Sequence, residues 1–267
     1  MACTIEQLQN CQYEILCKFA DVCETNSLYY TLGYGTLLGA IRHNSFIPWD
    51  DDVDVLMDIK SFKKFLKIIK KQPIDNFHLS YYTQECQYPL CFAKLRKEGT
   101  YMPEKVLDGL EMHNGVWIDI FTYFNKPDSA FLILLQEKAL GLTQMLCEKY
   151  YNRIKLKNGN DVISASRVYK MLDKTPDFLL KRLKNFLVFF ADAIGKKGSK
   201  NVRVFSYGSK LNACVKRELV EGSIKHIFKD REFNIPEKYD ELLTTIYGDY
   251  MTPVVTHTHT DLEQIIL

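Results

Sequence analysis

The spacing of apolar residues along the chain predicts which segments are helices and which are strands. The clearest helical pattern runs from Ile5 to Asn26, where apolar residues recur every three or four positions behind Thr4, a suitable N-cap. A second amphipathic helix with a lysine-rich face is predicted over Ile59 to Gln72. Further helices are predicted at 36–43, 131–151, 162–172, 178–194 and 237–246, and strands at 28–32, 77–82, 88–95, 116–121 and 203–207.

Four aspartates, Asp50, Asp51, Asp52 and Asp54, follow Pro48, which prevents a helix there. Alternate side chains of an extended chain share a face, so Asp50, Asp52 and Asp54 are predicted to point one way and Asp51 the other. Three like charges on one face cost free energy unless a cation neutralises them. The pattern therefore predicts a divalent metal site and metal-assisted chemistry.

Two other interpretations of the acidic cluster are available. A solvated acidic loop does not explain why the aspartates continue into a run with Val53 and Val55. A calcium-binding EF-hand loop starting at Asp50 needs Gly at its sixth position and Glu at its twelfth, where this chain has Val55 and Ser61. The metal-assisted interpretation is therefore preferred.

Composition excludes few functions. The 267 residues suffice for one large domain, or for one domain with a helical addition, and the net charge of +2 favours no partner. No apolar run approaches the roughly 18 residues of a membrane span, and the first residues do not resemble a secretion signal. The eight cysteines form no Cys-x-x-Cys pair, which indicates reduced thiols in a cytosol rather than zinc ligands.

The acidic stretch also carries a family resemblance. One motif places Gly35-Thr36 after a predicted strand and an Asp-apolar-Asp pattern on a second strand. This motif resembles that of the nucleotidyltransferase superfamily. The longer strings Leu37 to His43 and Ile47 to Val55 resemble the LicD family. The resemblance covers residues 28–125 and implies an α/β (α+β) fold: a nucleotidyltransferase-like mixed β-sheet core with flanking helices and a helical elaboration.

The resemblance implies Mg²⁺-dependent transfer of phosphocholine from CDP-choline to a hydroxyl of a cell-surface glycan precursor of the teichoic acid or lipopolysaccharide type, with release of CMP. The alternatives are transfer of ribitol- or glycerol-phosphate from a CDP donor, addition of NMP to a small molecule, and nucleotide binding without catalysis. One or two Mg²⁺ ions are expected, with Mn²⁺ as the alternative ion. The aromatic residues are too numerous for a choline-binding cage to be named.

The family resemblance also assigns several site residues. Asp119, the only charge in the apolar run 116–121, is expected to be the third metal carboxylate, with a buried ion pair as the alternative. Whether Asp50 and Asp52 or Asp52 and Asp54 form the metal pair stays open. Lys94 and Arg96, on one face of a predicted strand, are candidates for donor phosphate binding. The remaining phosphate-binding candidates are Gly35, Thr36 and Arg42.

Three parts are expected along the chain: a catalytic core with the N-terminal helix at 1–128, a helical, basic acceptor-side part at 129–220, and a C-terminal segment at 221–267 that packs back on the core. Thr175 is the expected N-cap of the helix at 178–194. The basic segment 181–217 has two interpretations, peripheral contact with an anionic, lipid-linked acceptor surface or a core helix with a basic rim.

The C-terminal residues add two features. The string Tyr247 to Pro253 resembles a closing element of LicD-like chains, whereas His257-Thr258-His259 is taken as a loose tail rather than a metal site. No module for nucleic acid accompanies the basic patch, so nucleic acid is not an expected partner. The expected location is the cytoplasm, including the inner face of the membrane.

Overall fold

The computed structural model describes residues 2–104, 107, 109–152, 174–205, 214–253 and 260–267. The predicted helix at 162–172, the end of the predicted strand at 203–207 and the His257-Thr258-His259 string lie outside these residues. The helices are α1 (Ile5–Thr25), α2 (Tyr34–His43), α3 (Ile59–Lys71), α4 (Ala130–Cys147), α5 (Asp177–Ala193) and α6 (Tyr239–Tyr247). The strands are β1 (Thr31–Leu32), β2 (Asp54–Asp58), β3 (Phe77–Ser80), β4 (Ala93–Lys97), β5 (Trp117–Asn125), β6 (Asn201–Phe205), β7 (Cys214–Lys216), β8 (Ser223–Phe228) and β9 (Arg231–Pro236).

Seven of these strands form one mixed sheet around β5, and β8 and β9 form a separate hairpin. Strand β2 runs parallel to β5, while β1 is antiparallel to β2 at the edge. On the other side of β5, β4 pairs with its first half and β6 with its second half, both antiparallel. The predicted α/β class with a mixed sheet and flanking helices is confirmed.

The first two long helices form where the sequence predicts them, and each has a side-chain cap. Thr4 and Gln7 make a reciprocal capping box at the start of α1, whose buried face packs against β4 and β5. Asp58, the last residue of β2, accepts hydrogen bonds from the backbone N–H groups of Lys60 and Ser61 and so starts α3 immediately. The acidic strand β2 is thereby fixed at its far end.

Some predicted boundaries are wrong. The strand expected at 88–95 begins only at Ala93, because its partner β3 ends at Ser80, which pairs with Lys94. Thr175 does not cap α5: Pro176 is the N-cap, and no side chain caps that end. The boundaries at 128 and 220 stay a prediction, although β6 and β7 within that part extend the main sheet.

Helix α4 contradicts the expectation that no segment has the length and apolarity of a membrane span. Its 18 residues have a mean hydropathy of 1.3, and 33% of them are buried. A core helix of a soluble protein passes the same test, and Gln136 in α4 is fully buried, donating to the carbonyls of Asn125 and Ala191. One such helix is therefore weak support for a span. All eight cysteines are free thiols, as expected.

Candidate active site

Asp54 occupies the first position of β2 and is fixed by its backbone. Its N–H donates to Thr36 Oγ1 at 2.8 Å, and its carbonyl accepts from Gly33 N–H at 2.9 Å. The turn from β1 into α2 therefore holds the start of the acidic strand. The hydroxyl of Thr36, a phosphate-binding candidate, thus has a structural role, and its side chain is buried.

Asp119 lies beside Asp54 because β2 and β5 are parallel neighbours. Asp54 and Asp119 are register partners, so their side chains leave the sheet on the same face. Asp119 N–H donates to the Val53 carbonyl at 2.7 Å, which connects β5 to the residue between the aspartates. Asp119 is therefore an immediate neighbour of the acidic cluster, although it lies some sixty-five residues after Asp54 in the sequence.

Asp50 approaches the start of α2 closely. A Cβ on Gly35 would lie 2.8 Å from Asp50 Oδ2, so a side chain at this position would displace the carboxylate. Asp51 turns away: its carboxylate accepts from Thr260 N–H at 2.6 Å, and its carbonyl accepts from Gln12 Nε2. The predicted alternation is confirmed, because Asp50, Asp52 and Asp54 line one pocket and Asp51 does not.

The electrostatics of the cluster reflect its concentrated negative charge. Burial, with the charges of Asp52 and Asp51, raises the pKa of Asp50 to about 7. Burial and the neighbouring carboxylates raise the pKa of Asp54 well above its ordinary value. Burial also raises the pKa of Asp119 to about 6, although the Lys94 ammonium opposes that shift. A bound cation would reduce the electrostatic repulsion between these carboxylates.

The carboxylate oxygens of these aspartates are ligands that suit Mg²⁺ or Mn²⁺. Asp50, Asp52 and Asp54 line one pocket, and Asp119 is adjacent to Asp54 in the sheet. Among the described residues, no three potential ligand groups already stand at the spacing of a formed metal centre. The carboxylates have the chemistry to bind a cation, and the metal assignment stays a prediction.

Lys94 and Arg96 lie on one face of β4, as predicted, but neither lines this pocket. Lys94 Nζ is 2.8 Å from Asp119 Oδ1 and 3.5 Å from Glu104 Oε2, and it lies over the Trp117 ring. The Arg96 guanidinium is fully buried and donates to Ser80, Glu104 and the Gly115 carbonyl. Lys94 thus contacts the acidic site through Asp119, whereas Arg96 contacts Glu104, which also pairs with Lys94.

A pocket of about 580 Å³ opens over the aspartates. Its other wall is the C-terminal closing element, formed by the end of α6 and the residues after it. Arg42 lies at this wall, where its guanidinium donates to the Tyr250 carbonyl at 3.1 Å. The pocket is lined by Tyr34, Gly35, Leu38, Arg42, Ile47, Trp49, Asp50, Asp52, Asp54, Ile246, Tyr247, Asp249, Tyr250 and Thr252.

Tyr34 is held in an unusual conformation at the floor of this pocket. Its φ of +42° lies in the left-handed region, which non-glycine residues seldom adopt. Its ring packs edge-on against Phe121 at 5.4 Å between centroids, and burial with the nearby Asp54 charge raises the pKa of its hydroxyl. Backbone strain of this kind concentrates at functional sites.

Sequence reasoning missed the parts played by Glu104 and Tyr247. Glu104 pairs with both Lys94 and Arg96, but it lies in an irregular segment without a periodic pattern. Tyr247 is close enough to the aspartates that, together with burial, their charges raise the pKa of its hydroxyl. The Tyr-Gly-Asp-Tyr string was the available signal for Tyr247, since it was recognised as a closing element.

The fold and the site together define a transferase domain of the nucleotidyltransferase type. A strand leads through a glycine-containing turn into a helix, and two paired strands carry aspartates at the pocket. Residues 27–132 match the family described as LicD/FKTN/FKRP, nucleotidyltransferase domain. Residues 27–132 therefore form a LicD-type domain, as the sequence motifs indicated.

The known relatives agree with this assignment. The lipopolysaccharide cholinephosphotransferase LicD of Haemophilus influenzae is 28% identical over 263 residues, which covers 93% of this chain and 91% of that protein. Uncharacterized proteins of Rickettsia prowazekii and Rickettsia typhi are each 41% identical over 54 residues, 20% of this chain and 18% and 15% of theirs. The first relative thus matches nearly from end to end.

Proposed function

We propose that this protein transfers phosphocholine from CDP-choline to a hydroxyl of a cell-surface glycan precursor. The acceptor oxygen attacks the phosphorus that bears choline, the bond to the bridging pyrophosphate oxygen breaks, and CMP leaves. The product is a phosphodiester on the glycan, and one site carboxylate accepts the hydroxyl proton. The end-to-end similarity to a lipopolysaccharide cholinephosphotransferase supports a lipopolysaccharide-type acceptor, with teichoic acid as the alternative.

The observation that carries the choline assignment is the lining of the pocket. Four aromatic residues, Tyr34, Trp49, Tyr247 and Tyr250, line it together with Asp249, which is not an expected metal ligand, and Arg42 is the only cationic side chain among the described lining residues. Aromatic faces attract a quaternary ammonium group, and the carboxylate of Asp249 adds to this attraction. A ribitol or glycerol group is uncharged and would not gain this attraction.

Asp50, Asp52, Asp54 and Asp119 would hold one or two Mg²⁺ ions, which would neutralise charge on the donor pyrophosphate. Gly35 leaves room for Asp50, and Thr36 fixes Asp54. Lys94 balances the charge of Asp119 and would be available to the donor phosphates if a cation bound that carboxylate. Arg42 and Gly35 are the phosphate-binding candidates that line the pocket, and Arg42 supplies the positive charge.

A donor assay tests this function. The purified protein with Mg²⁺ is given CDP-choline, CDP-ribitol, CDP-glycerol or CTP, with and without lipopolysaccharide or teichoic acid precursors. Release of CMP and of pyrophosphate is followed. We expect CMP release from CDP-choline that requires the acceptor and stops with EDTA.

Each alternative has its own result. CMP release from CDP-ribitol or CDP-glycerol alone would reassign the donor, and pyrophosphate release from CTP would indicate a nucleotidyltransferase that adds NMP. Binding of a donor, seen as a melting shift, with no turnover on any acceptor would indicate a protein that binds without catalysis. The proposal also includes peripheral contact with the inner face of a membrane through the segment 181–217, where a lipid-linked acceptor would be found.

A further inference from the structure

Helix α5 is apolar on two opposite sides. One side is buried and packs through Leu180, Leu187, Val188 and Ala191. The other side is exposed: Phe178, Phe186 and Phe189 have 61%, 59% and 63% of their surface accessible. At 3.6 residues per turn, these three rings lie on one side of the helix. Together with the exposed Leu179 and Leu183 they form a surface that we call the α5 outer face.

The neighbouring helix also carries exposed apolar residues. Helices α4 and α5 pack side by side, and Gln136 in the first half of α4 donates to the Ala191 carbonyl near the end of α5. Phe131 and Leu134, in that same half of α4, are also exposed. Exposed apolar side chains in this number usually mark an interaction site.

The charges around the α5 outer face are positive. The two acids of α5 are already paired, Asp177 with Lys149 and Asp192 with Lys63. Lys181 and Arg182 are exposed, and no described residue forms an ion pair with either. The face therefore presents cations beside phenylalanines, with its own acids neutralised.

A small cavity of about 230 Å³ borders the same face at the start of α5. Phe178 of the outer face lines the cavity, as do Lys181 and Asp177, whose carboxylate is paired with Lys149. Lys184 also lines the cavity, although only 5% of this residue is exposed. Its ammonium lies over the Tyr82 ring at 4.9 Å, and it forms no ion pair within the described residues. A buried ammonium without a carboxylate partner favours an anionic ligand.

We propose that the α5 outer face docks on an anionic lipid bilayer, with the cavity at Lys184 receiving the phosphate of a lipid head group. Phenylalanines enter the interface while Lys181 and Arg182 contact the anionic surface. A second copy of this chain is a poorer occupant, because a symmetric contact would bring the same cations together. The inference deepens the membrane contact of the proposed function by naming the surface and the lipid charge.

Sedimentation with vesicles tests the docking without donor or acceptor, so its failure is separate from failure of the transfer reaction. The protein is mixed with vesicles of phosphatidylcholine alone, or of phosphatidylcholine with phosphatidylglycerol. We expect binding to the mixed vesicles only, weakened by salt. The double variant Phe186→Ser/Phe189→Ser should lower the affinity about tenfold or more, since each ring adds apolar burial. Ile224→Ser/Ile227→Ser, at exposed residues of β8, is the matched control and should bind like the parent.

The variant Lys184→Met tests the cavity. We expect weaker binding to the mixed vesicles and an unchanged melting temperature; if it fails to fold, Lys181→Gln/Arg182→Gln tests the same charge at exposed positions. Competition by inorganic phosphate at low concentration would assign the cavity to a free phosphate instead of a head group. Equal binding of parent and Phe186→Ser/Phe189→Ser, or a dimer that this variant dissociates, would overturn the proposal.

Discussion

At the scale of single residues, the site is a set of carboxylates brought close by backbone contacts. Asp54 is held on one side by Thr36 Oγ1 and on the other by Gly33, and Asp119 is its register partner. The like charges raise one another's pKa, so the fold holds an arrangement that is unfavourable without a cation. These aspartates could be predicted from sequence because alternation and an isolated charge in an apolar run are local signals.

Asp54→Asn should abolish most transfer activity, by about 100-fold or more, because one metal-binding carboxylate is lost. The same change should raise the melting temperature of the metal-free protein at pH 8, since a buried like charge is removed. CMP release and thermal melting measure the two effects. Asp75→Asn, at an exposed aspartate on the loop after α3, is the control and should change neither. Full turnover by Asp54→Asn would contradict the assignment.

Glu104→Gln tests the ion pairs behind the site. Glu104 is paired with the fully buried Arg96 at 2.9 Å and with Lys94 at 3.5 Å, and removing its charge leaves Arg96 without this carboxylate, whereas Lys94 keeps Asp119. We expect a loss of about 3 kcal/mol in the free energy of unfolding, measured by urea denaturation. Glu98→Gln, at an exposed glutamate, should cost much less. Equal losses in the two variants would show that Glu104 has no special role.

At the scale of elements, helix α2 depends on close backbone contact with the loop that leads to the acids. A Cβ on Gly39 would lie 2.5 Å from the Ser45 carbonyl oxygen and 3.0 Å from Ile47 N. Asn44, in the left-handed conformation, ends the helix and turns the chain back toward it. The glycine therefore allows the loop to pack on α2 and present Asp50 to the pocket.

Gly39→Ala should destabilise the protein by about 1–3 kcal/mol, because the clash is with backbone atoms that cannot rotate away. Transfer activity should fall as well, since the displaced loop carries Asp50. Gly141→Ala in α4 is the matched control: no atom lies within 4 Å of the added Cβ, and alanine should stabilise that helix slightly. Urea denaturation of both variants separates packing from helix propensity, and a Gly39→Ala variant as stable as the parent would contradict the argument.

At the scale of the whole molecule, the acidic cluster connects stability to pH and to cations. Asp50 and Asp119 have pKa values of about 7 and about 6, above their ordinary values. A folded state that binds protons more tightly than the unfolded state is stabilised at low pH, and this contribution is lost as pH rises through the folded pKa values. The metal-free protein should therefore lose stability between about pH 5 and pH 8 through this cluster.

Thermal melting of the parent and of Asp50→Asn/Asp54→Asn at pH 5.5 and pH 8 checks this prediction. The difference between the two proteins removes the contributions of titrating groups outside the acidic cluster. The variant should melt higher than the parent at pH 8, and the gap should narrow at pH 5.5. Mg²⁺ should raise the melting temperature of the parent at pH 8 and leave the variant nearly unchanged. A gap that does not depend on pH would contradict the raised pKa values.

The sequence by itself determined the helices α1 and α3, the Thr4 cap of α1, the LicD-type motif and the aspartates, because periodicity, capping and alternation act over a few residues. Only the tertiary structure decided that Arg96 is buried behind the site, that Glu104 pairs with Lys94, and that Tyr247 and Tyr250 form a wall over residues some two hundred positions earlier. Such contacts depend on strand order and on the packing of irregular segments. Their partners are distant in sequence, and no local pattern specifies them.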